Sequence, residues 1–353
     1  MNASDEKKTL NVFYDKFLGK YEIPAFLKLG ICILLGAIFL LTHYFSSPDF
    51  FEFNSVFLAA IITGAMLALY YATHELKLVI PEMDKRISPK NAVTESTAVV
   101  DKFNAMLSTR HFIFCGMGFA IINCILGTLF GIPQIEYSEM PGYTSYELTL
   151  YFGFFLSGFV CGMAVLGIFS VARIFNLYGS QLKNSIDFTA PDQCGGTLFV
   201  GNSLMVFGSI TLIVGMLITI YILRTEWDND KPFAQYLRTF WILFPYAMSL
   251  MALLAPAISL NKTLIKYKRS QEAKLRAELH EIKRIIDEPG EPAPSELYER
   301  YEFIKGLREQ VHNMRTWPYG ITANMQFLGV VIVNTYAVSQ AAPEELRKIV
   351  GLE

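Results

Sequence analysis

Charge is missing from this chain in six long stretches, roughly 25–45, 54–73, 112–132, 148–175, 198–223 and 238–260, where an apolar run continues with hardly an ionised side chain. Alternation is missing too. The runs do not switch between polar and apolar at every second residue, which excludes a transmembrane β-barrel. Cysteine is scarce, with Cys32, Cys115, Cys124 and Cys161 inside the runs, Cys194 in a short loop and no C-x-x-C spacing. Buried small hydrophobes are therefore expected rather than a disulfide framework or a metal site. The net charge of -2 supplies no basic field, so nothing supports a nucleic-acid partner. No H-E-x-x-H, paired-histidine set or G-x-S-x-G elbow is present in the runs, and neither an enzyme activity nor a cofactor is expected. A cleavable leader is not expected either, because the residues before the first run are mostly polar and no small-residue cleavage site follows.

What the chain does have is apolar sequence in excess of one soluble core. Of its 353 residues 52% are hydrophobic, including 28 Phe and 18 Tyr. A helix needs ~20 residues to cross a bilayer, and each run is near or above that length. The expected fold is all-α: a polytopic membrane bundle of six or seven transmembrane helices carrying a cytoplasmic helical hairpin. Residues 1–24 form an N-terminal interfacial unit, 25–260 the six-span bundle, 261–316 the hairpin, and 317–353 a terminal apolar helix and tail.

Basic residues set the orientation. Lys7, Lys8, Lys16, Lys20 and Lys28 precede the first run, and Lys77, Lys85, Arg86, Lys90, Lys102 and Arg110 separate the second from the third. The loops around Asp49 and Glu52, and from Pro133 to Glu147, hold no lysine or arginine. Positive loops stay inside, so the expectation is a plasma-membrane protein with a cytoplasmic N-terminus. The loop with Arg224, Lys231 and Arg238 against Glu226, Asp228 and Asp230 is mixed. Trp227 and Trp241 flank the outer mouth between runs five and six, and Trp317 precedes the last apolar segment, as interface anchors do. Leu10, Phe13, Phe17 and Tyr21 recur at helical spacing and suit a helix lying on the inner surface. Lys262, Lys266, Lys268 and Arg269 follow the sixth run and suit anionic lipid headgroups.

Beyond the sixth run, Leu275, Leu279, Ile282 and Ile286 make one apolar seam, and Leu297, Tyr301, Ile304, Leu307, Val311 and Met314 make a second. Pro289, Pro292 and Pro294 with Gly290 break the helix between them, and Ser295 is expected to cap the second helix. The seams fit either an intramolecular hairpin or contact between copies, because heptads do not name their partner. His280 and His312 fall on these helices and are expected at the surface. A helical lead-in with Val99, Val100, Phe103 and Leu107 adds to the same base.

Two segments carry the candidate sites. In the loop from Asp187 to Gly196, Asp187 and Asp192 suit a cation or a gate, while Gly195 and Gly196 permit close backbone approach. The plainer reading, and the favoured one, is a turn begun at Pro191-Asp192 with Thr197 capping the fifth span. The segment Gly320 to Ser339 is long enough to cross yet carries Asn324, Thr335 and Ser339 within about 60° of one another on a helical wheel. Such a stripe is costly against lipid and suits a pore lining. The segment fits a seventh span, a re-entrant helix or a helix on the cytoplasmic face, with insertion favoured. Glycine stripes, Gly158 and Gly162 or Gly201, Gly208 and Gly215 among them, suit close helix packing within the chain and, for some, a seam between copies.

The P-D-x-C-G-G loop before a span, the charged hairpin and Arg315-Thr-Trp-Pro-Tyr319 before a final apolar helix together resemble uncharacterised multi-pass membrane proteins of bacteria and archaea. That resemblance implies architecture and no activity. The layout is also similar to insect odorant and gustatory receptor channels, in which a long sixth helix enters a cytosolic anchor and a short final helix lines a tetrameric pore. Thr335-Tyr336 and Gln340 stand near their terminal Thr-Tyr motif, with a different spacing to the glutamine. What this layout implies is a homo-oligomeric ion channel. The competing expectation is a membrane-anchored sensor whose hairpin binds a cytosolic partner.

Overall fold

The computed structural model describes residues 24–50, 53–87, 98–129, 141–178, 186–225, 232–288 and 294–341. Among these the chain is all-α, with helices α1 (Ala25–Ser46), α2 (Phe53–Ile87), α3 (Ala98–Met106), α4 (Thr109–Leu129), α5 (Tyr143–Tyr178), α6 (Leu198–Arg224), α7 (Pro232–Ile286), α8 (Ser295–Asn313) and α9 (Ile321–Ala341). Six of them, α1, α2, α4, α5, α6 and α7, hold apolar windows long enough to cross a membrane. Their outer faces carry apolar side chains, among them Phe45 and Phe114, each 76% exposed. An apolar exterior of this extent belongs in lipid, and the protein is a multi-pass membrane protein. The interfacial helix expected around Leu10 to Tyr21, and Trp227, lie outside the described residues.

Helices α2, α5, α6 and α7 pack in a ring, each against two others of the four. Around it, α1 leans on α2 and α5, α4 docks on α5, and α9 docks on α6. Glycines set the closest approaches within the chain: Gly158 and Gly162 face α4, and Gly208 and Gly215 on α6 face Leu253 and Pro245 of α7.

Two helices run well past their apolar windows. The apolar run within α2 ends near Thr73, but the helix continues to Ile87 because Leu76, Val79, Ile80 and Met83 keep one face buried among charged neighbours. Val99, Val100, Phe103 and Leu107 of the lead-in pack onto this extension in one core cluster, forming a base to the bundle. At the same level Ser203 Oγ donates to the Glu75 carboxylate at 2.8 Å. Helix α7 extends out of the bundle, about 80 Å in all at 1.5 Å per residue.

The two heptad seams pair within one chain. Leu275, Leu279, Ile282 and Ile286 of α7 pack with Leu297, Tyr301 and Ile304 of α8, and Arg300 reaches Glu278 at 2.7 Å. His312 lies 3.5 Å from Glu272, so His280, eight residues along α7, stands about 12 Å from that pair. The two histidines do not form one site. Helix α8 begins at Ser295 itself, with Pro294 in the capping position and no side-chain cap, which corrects the expectation for Ser295. Proline holds an extended backbone there at no cost, so the preceding chain turns into the helix without a capping hydroxyl.

A Cβ at position 162 would stand 2.6 Å from the Cys115 carbonyl oxygen, whereas one at 118 meets nothing within 4 Å. Gly162→Val is therefore expected to cost ~1–3 kcal/mol of overpacking. Thermal unfolding in detergent checks this against Gly118→Val, which should unfold close to the parent.

Candidate functional site

Three positions of left-handed backbone reverse the chain between α5 and α6: Gln193 at φ 55°, Gly195 at 64° and Gly196 at 79°. Glycine adopts the last two without strain, and the clustering of all three lets the loop fold back over the start of α6. Asp192 Oδ1 accepts from the amides of Cys194 and Gly196, each at 2.9 Å, and its Oδ2 accepts from Leu198 at 3.1 Å. The carboxylate thus satisfies the Leu198 amide at the start of α6, where negative charge is favoured, and two amides of the turn that precedes it. Thr197 does not cap; its hydroxyl donates to the Cys194 carbonyl at 2.7 Å. The expected cap is corrected from Thr197 to Asp192, whose side chain is returned to the helix axis by the glycine turn.

Asp187 accepts from both the amide and the hydroxyl of Thr189, at 2.8 and 2.6 Å. Those bonds hold its carboxyl below the usual carboxylate range. Because the pKa is depressed by folding, the contribution is present above the ordinary value and fades as pH falls through the lowered one. Both aspartates thus serve the loop's own donors, and no cluster of three metal-ligating side chains occurs among the described residues.

This loop grips the linker that joins α8 to α9. Arg315 N donates to Gln193 O at 2.7 Å, the Cys194 thiol points to Trp317 O at 3.5 Å, and Asn261 of α7 donates to Thr316 O at 2.8 Å. Burial and the nearby Asp192 carboxylate push the Cys194 thiol up, against the pull of Arg315, so it is a packing group rather than a nucleophile. Lys268 is turned onto the His312 and Met314 carbonyls at the end of α8. Only Lys262, Lys266 and Arg269 of the basic cluster share an exposed face. Met314, Ile186, Leu264 and Tyr267 form a small apolar core beneath the junction. A Cβ at Gly201 would overlap the Pro318 carbonyl oxygen, so only glycine admits the linker there.

Tyr319 closes the junction. Its hydroxyl donates to Leu253 O at 2.8 Å, and burial raises its pKa above the ordinary tyrosine value. Trp317 stacks with Tyr319 at 6.3 Å between ring centroids and is 45% exposed. Trp241, half-buried, stands near the opposite end of the bundle.

From this root α9 runs alongside α6. Pro318 abuts Gly201, and further along both helices Asn334 Nδ2 donates to Leu212 O at 2.9 Å. The helix thus follows a membrane-crossing neighbour, α6, along its length. Its contact face is Phe327, Val330, Val331 and Asn334, spaced three, one and three. Asn324 and Thr335 are exposed, and Thr335 Oγ1 bonds back to Val331 O at 2.9 Å. Ser339 lies in the same helix, its side chain outside the description. Asn324 and Thr335 hence lie exposed along the edge of the contact face, and the far side of α9 carries Met325, Ile332 and Tyr336. The buried Asn334 was not among the stripe residues expected from the sequence; a lone amide on the most apolar face of the wheel was the signal for it.

No family model, curated protein or solved structure matches the chain.

Removing the Asp192 carboxylate leaves three amides without their acceptor. Asp192→Ala is expected to destabilise by ~1–3 kcal/mol and Tyr319→Phe by ~1 kcal/mol. Asp187→Ala, at an exposed position, should do less. Thermal unfolding of the three variants in detergent checks this order.

Proposed function

We propose that the chain assembles with copies of itself into an ion channel, with α9 beside the path and the hairpin as a cytoplasmic anchor. The observation that carries this reading is the exposed polar edge of α9. The helix is fastened to α6 by one narrow face, and Asn324 and Thr335 are exposed beside it. Thr335 returns its hydroxyl to Val331, so the cost of facing hydrocarbon falls on the Asn324 amide, and another copy or a water-filled path removes it. The absence of ionised residues from the middle of the spans argues against a proton pump or voltage sensor. Lysine asymmetry puts the N-terminus and hairpin in the cytosol of a plasma-membrane protein, with Lys262, Lys266 and Arg269 facing anionic headgroups.

A second reading, an interaction module acting through the hairpin, has one observation in its favour. Phe303 and Tyr298 of α8 are 66% and 50% exposed, although their helix extends beyond the bundle.

Purified protein in planar bilayers decides between them. The channel reading expects conductance, reduced roughly two-fold or more by Asn324→Leu or Thr335→Leu. Absence of conductance, or conductance indifferent to both substitutions, overturns it.

A further inference from the structure

The ring of α2, α5, α6 and α7 is tight at its base, where Ser259 Oγ of α7 donates to Phe175 O of α5 at 2.9 Å. Toward the opposite end a cavity of about 100 Å³ lies between these helices and α4. Its back wall is buried and comes from Leu58, Ile61, Phe154 and Ile222. Its rim is half-exposed and comes from Phe119 and Leu126 of α4 and Trp241 of α7. Helix α4 docks chiefly on α5, and it meets α7 through the Phe119 and Phe244 rings, 6.3 Å apart. The rim thus faces sideways between two membrane-crossing helices. Ile122, Ile125 and Phe240 beside it are 50%, 51% and 52% exposed, on the surface that lipid covers.

The Asn123 amide N–H and the Ser157 hydroxyl in the wall are bonded inside the chain. Asn123 Nδ2 donates to Phe154 O at 2.8 Å and to Ser157 Oγ at 3.3 Å, and Ser157 Oγ donates to the same carbonyl at 3.1 Å. What the walls offer an occupant is methyl, methylene and ring surface, and apolar cavities of this kind stay dry. Below it, on the same seam of α5, Ala164 and Ile168 follow Cys161 and border a second apolar cavity of about 70 Å³.

We propose that this lateral cavity is a binding site for one alkyl chain taken from the surrounding bilayer. The end of the chain enters between α4 and α7 past Trp241 and points along α5 toward Cys161, and the rest of it stays on the surface that lipid covers. A phospholipid tail and a free fatty acid share this chemistry, and the test separates them. The proposal does not depend on the channel reading, because the readout is binding.

The full chain carrying Trp227→Phe and Trp317→Phe retains Trp241 as its sole indole. In micelles of an unbrominated detergent it is titrated with dibromostearate in one arm and dibromostearoyl phosphatidylcholine in the other, since bromine quenches indole on contact. Quenching is expected to saturate at about one molecule per chain in at least one arm, and that arm names the source. Cys161→Phe and Ile218→Phe each fill the cavity and should remove the saturable component. Both variants are made so that one decides if the other does not elute as the parent does. Quenching that rises without saturating in both arms, or a saturable component that survives the filling substitutions, overturns the proposal.

Discussion

Lipid offers nothing for a polar group to bond, and that constraint organises the structure from the spans to the terminal helix. Within the bundle the hydroxyls of Thr73, Thr211 and Thr219 turn back to carbonyls of their own helices at 2.7 to 2.8 Å. Others cross between helices: Ser249 of α7 to Gly208 of α6, Ser259 to Phe175, Asn123 to Phe154, Asn334 to Leu212. Each such bond satisfies a donor and fixes a helix pair, typically for ~0.6–2 kcal/mol. Polar residues are therefore fasteners here, and the glycines opposite them set how closely the backbones meet.

The same economy appears where the chain leaves the bundle. The linker between α8 and α9 is irregular backbone, and its carbonyls at Thr316 and Trp317 face Asn261 and Cys194. Asp192 caps α6 from the loop that holds this linker, so one carboxylate orders both the start of a span and the root of α9. Because Lys268, Asn261 and Leu253 all lie on α7, the position of the hairpin and the position of α9 are set by one helix.

The bundle was legible in the sequence because length and hydropathy are what a bilayer selects, and the six runs coincide with six helices. The extension of α2 was not, since hydropathy averages over a helix and hides the single buried face of Leu76, Val79, Ile80 and Met83. Heptad spacing gave both hairpin seams but not their partner, which geometry assigns through Leu279, Ile282 and Ile304. In the loop, the glycines signalled a reversal, yet the left-handed turn at Gln193 carries no sequence mark, and without it the reach of Asp192 to Leu198 is invisible. On α9 a helical wheel grouped Asn324, Thr335 and Ser339 on one face; which face meets α6 depends on packing that the wheel does not contain.

The placement of α9, fastened to α6 by Phe327, Val330, Val331 and Asn334 with Asn324 and Thr335 exposed beside that face, is the claim on which the functional reading stands. Single cysteines placed through residues 321–341 of a cysteine-free chain in nanodiscs, reacted with a membrane-impermeant thiol reagent, test it most directly. Reaction should peak at 324, 335 and 339 and be lowest at 327, 330, 331 and 334. Uniform protection along the helix, or fastest reaction on the face assigned to α6, would contradict it.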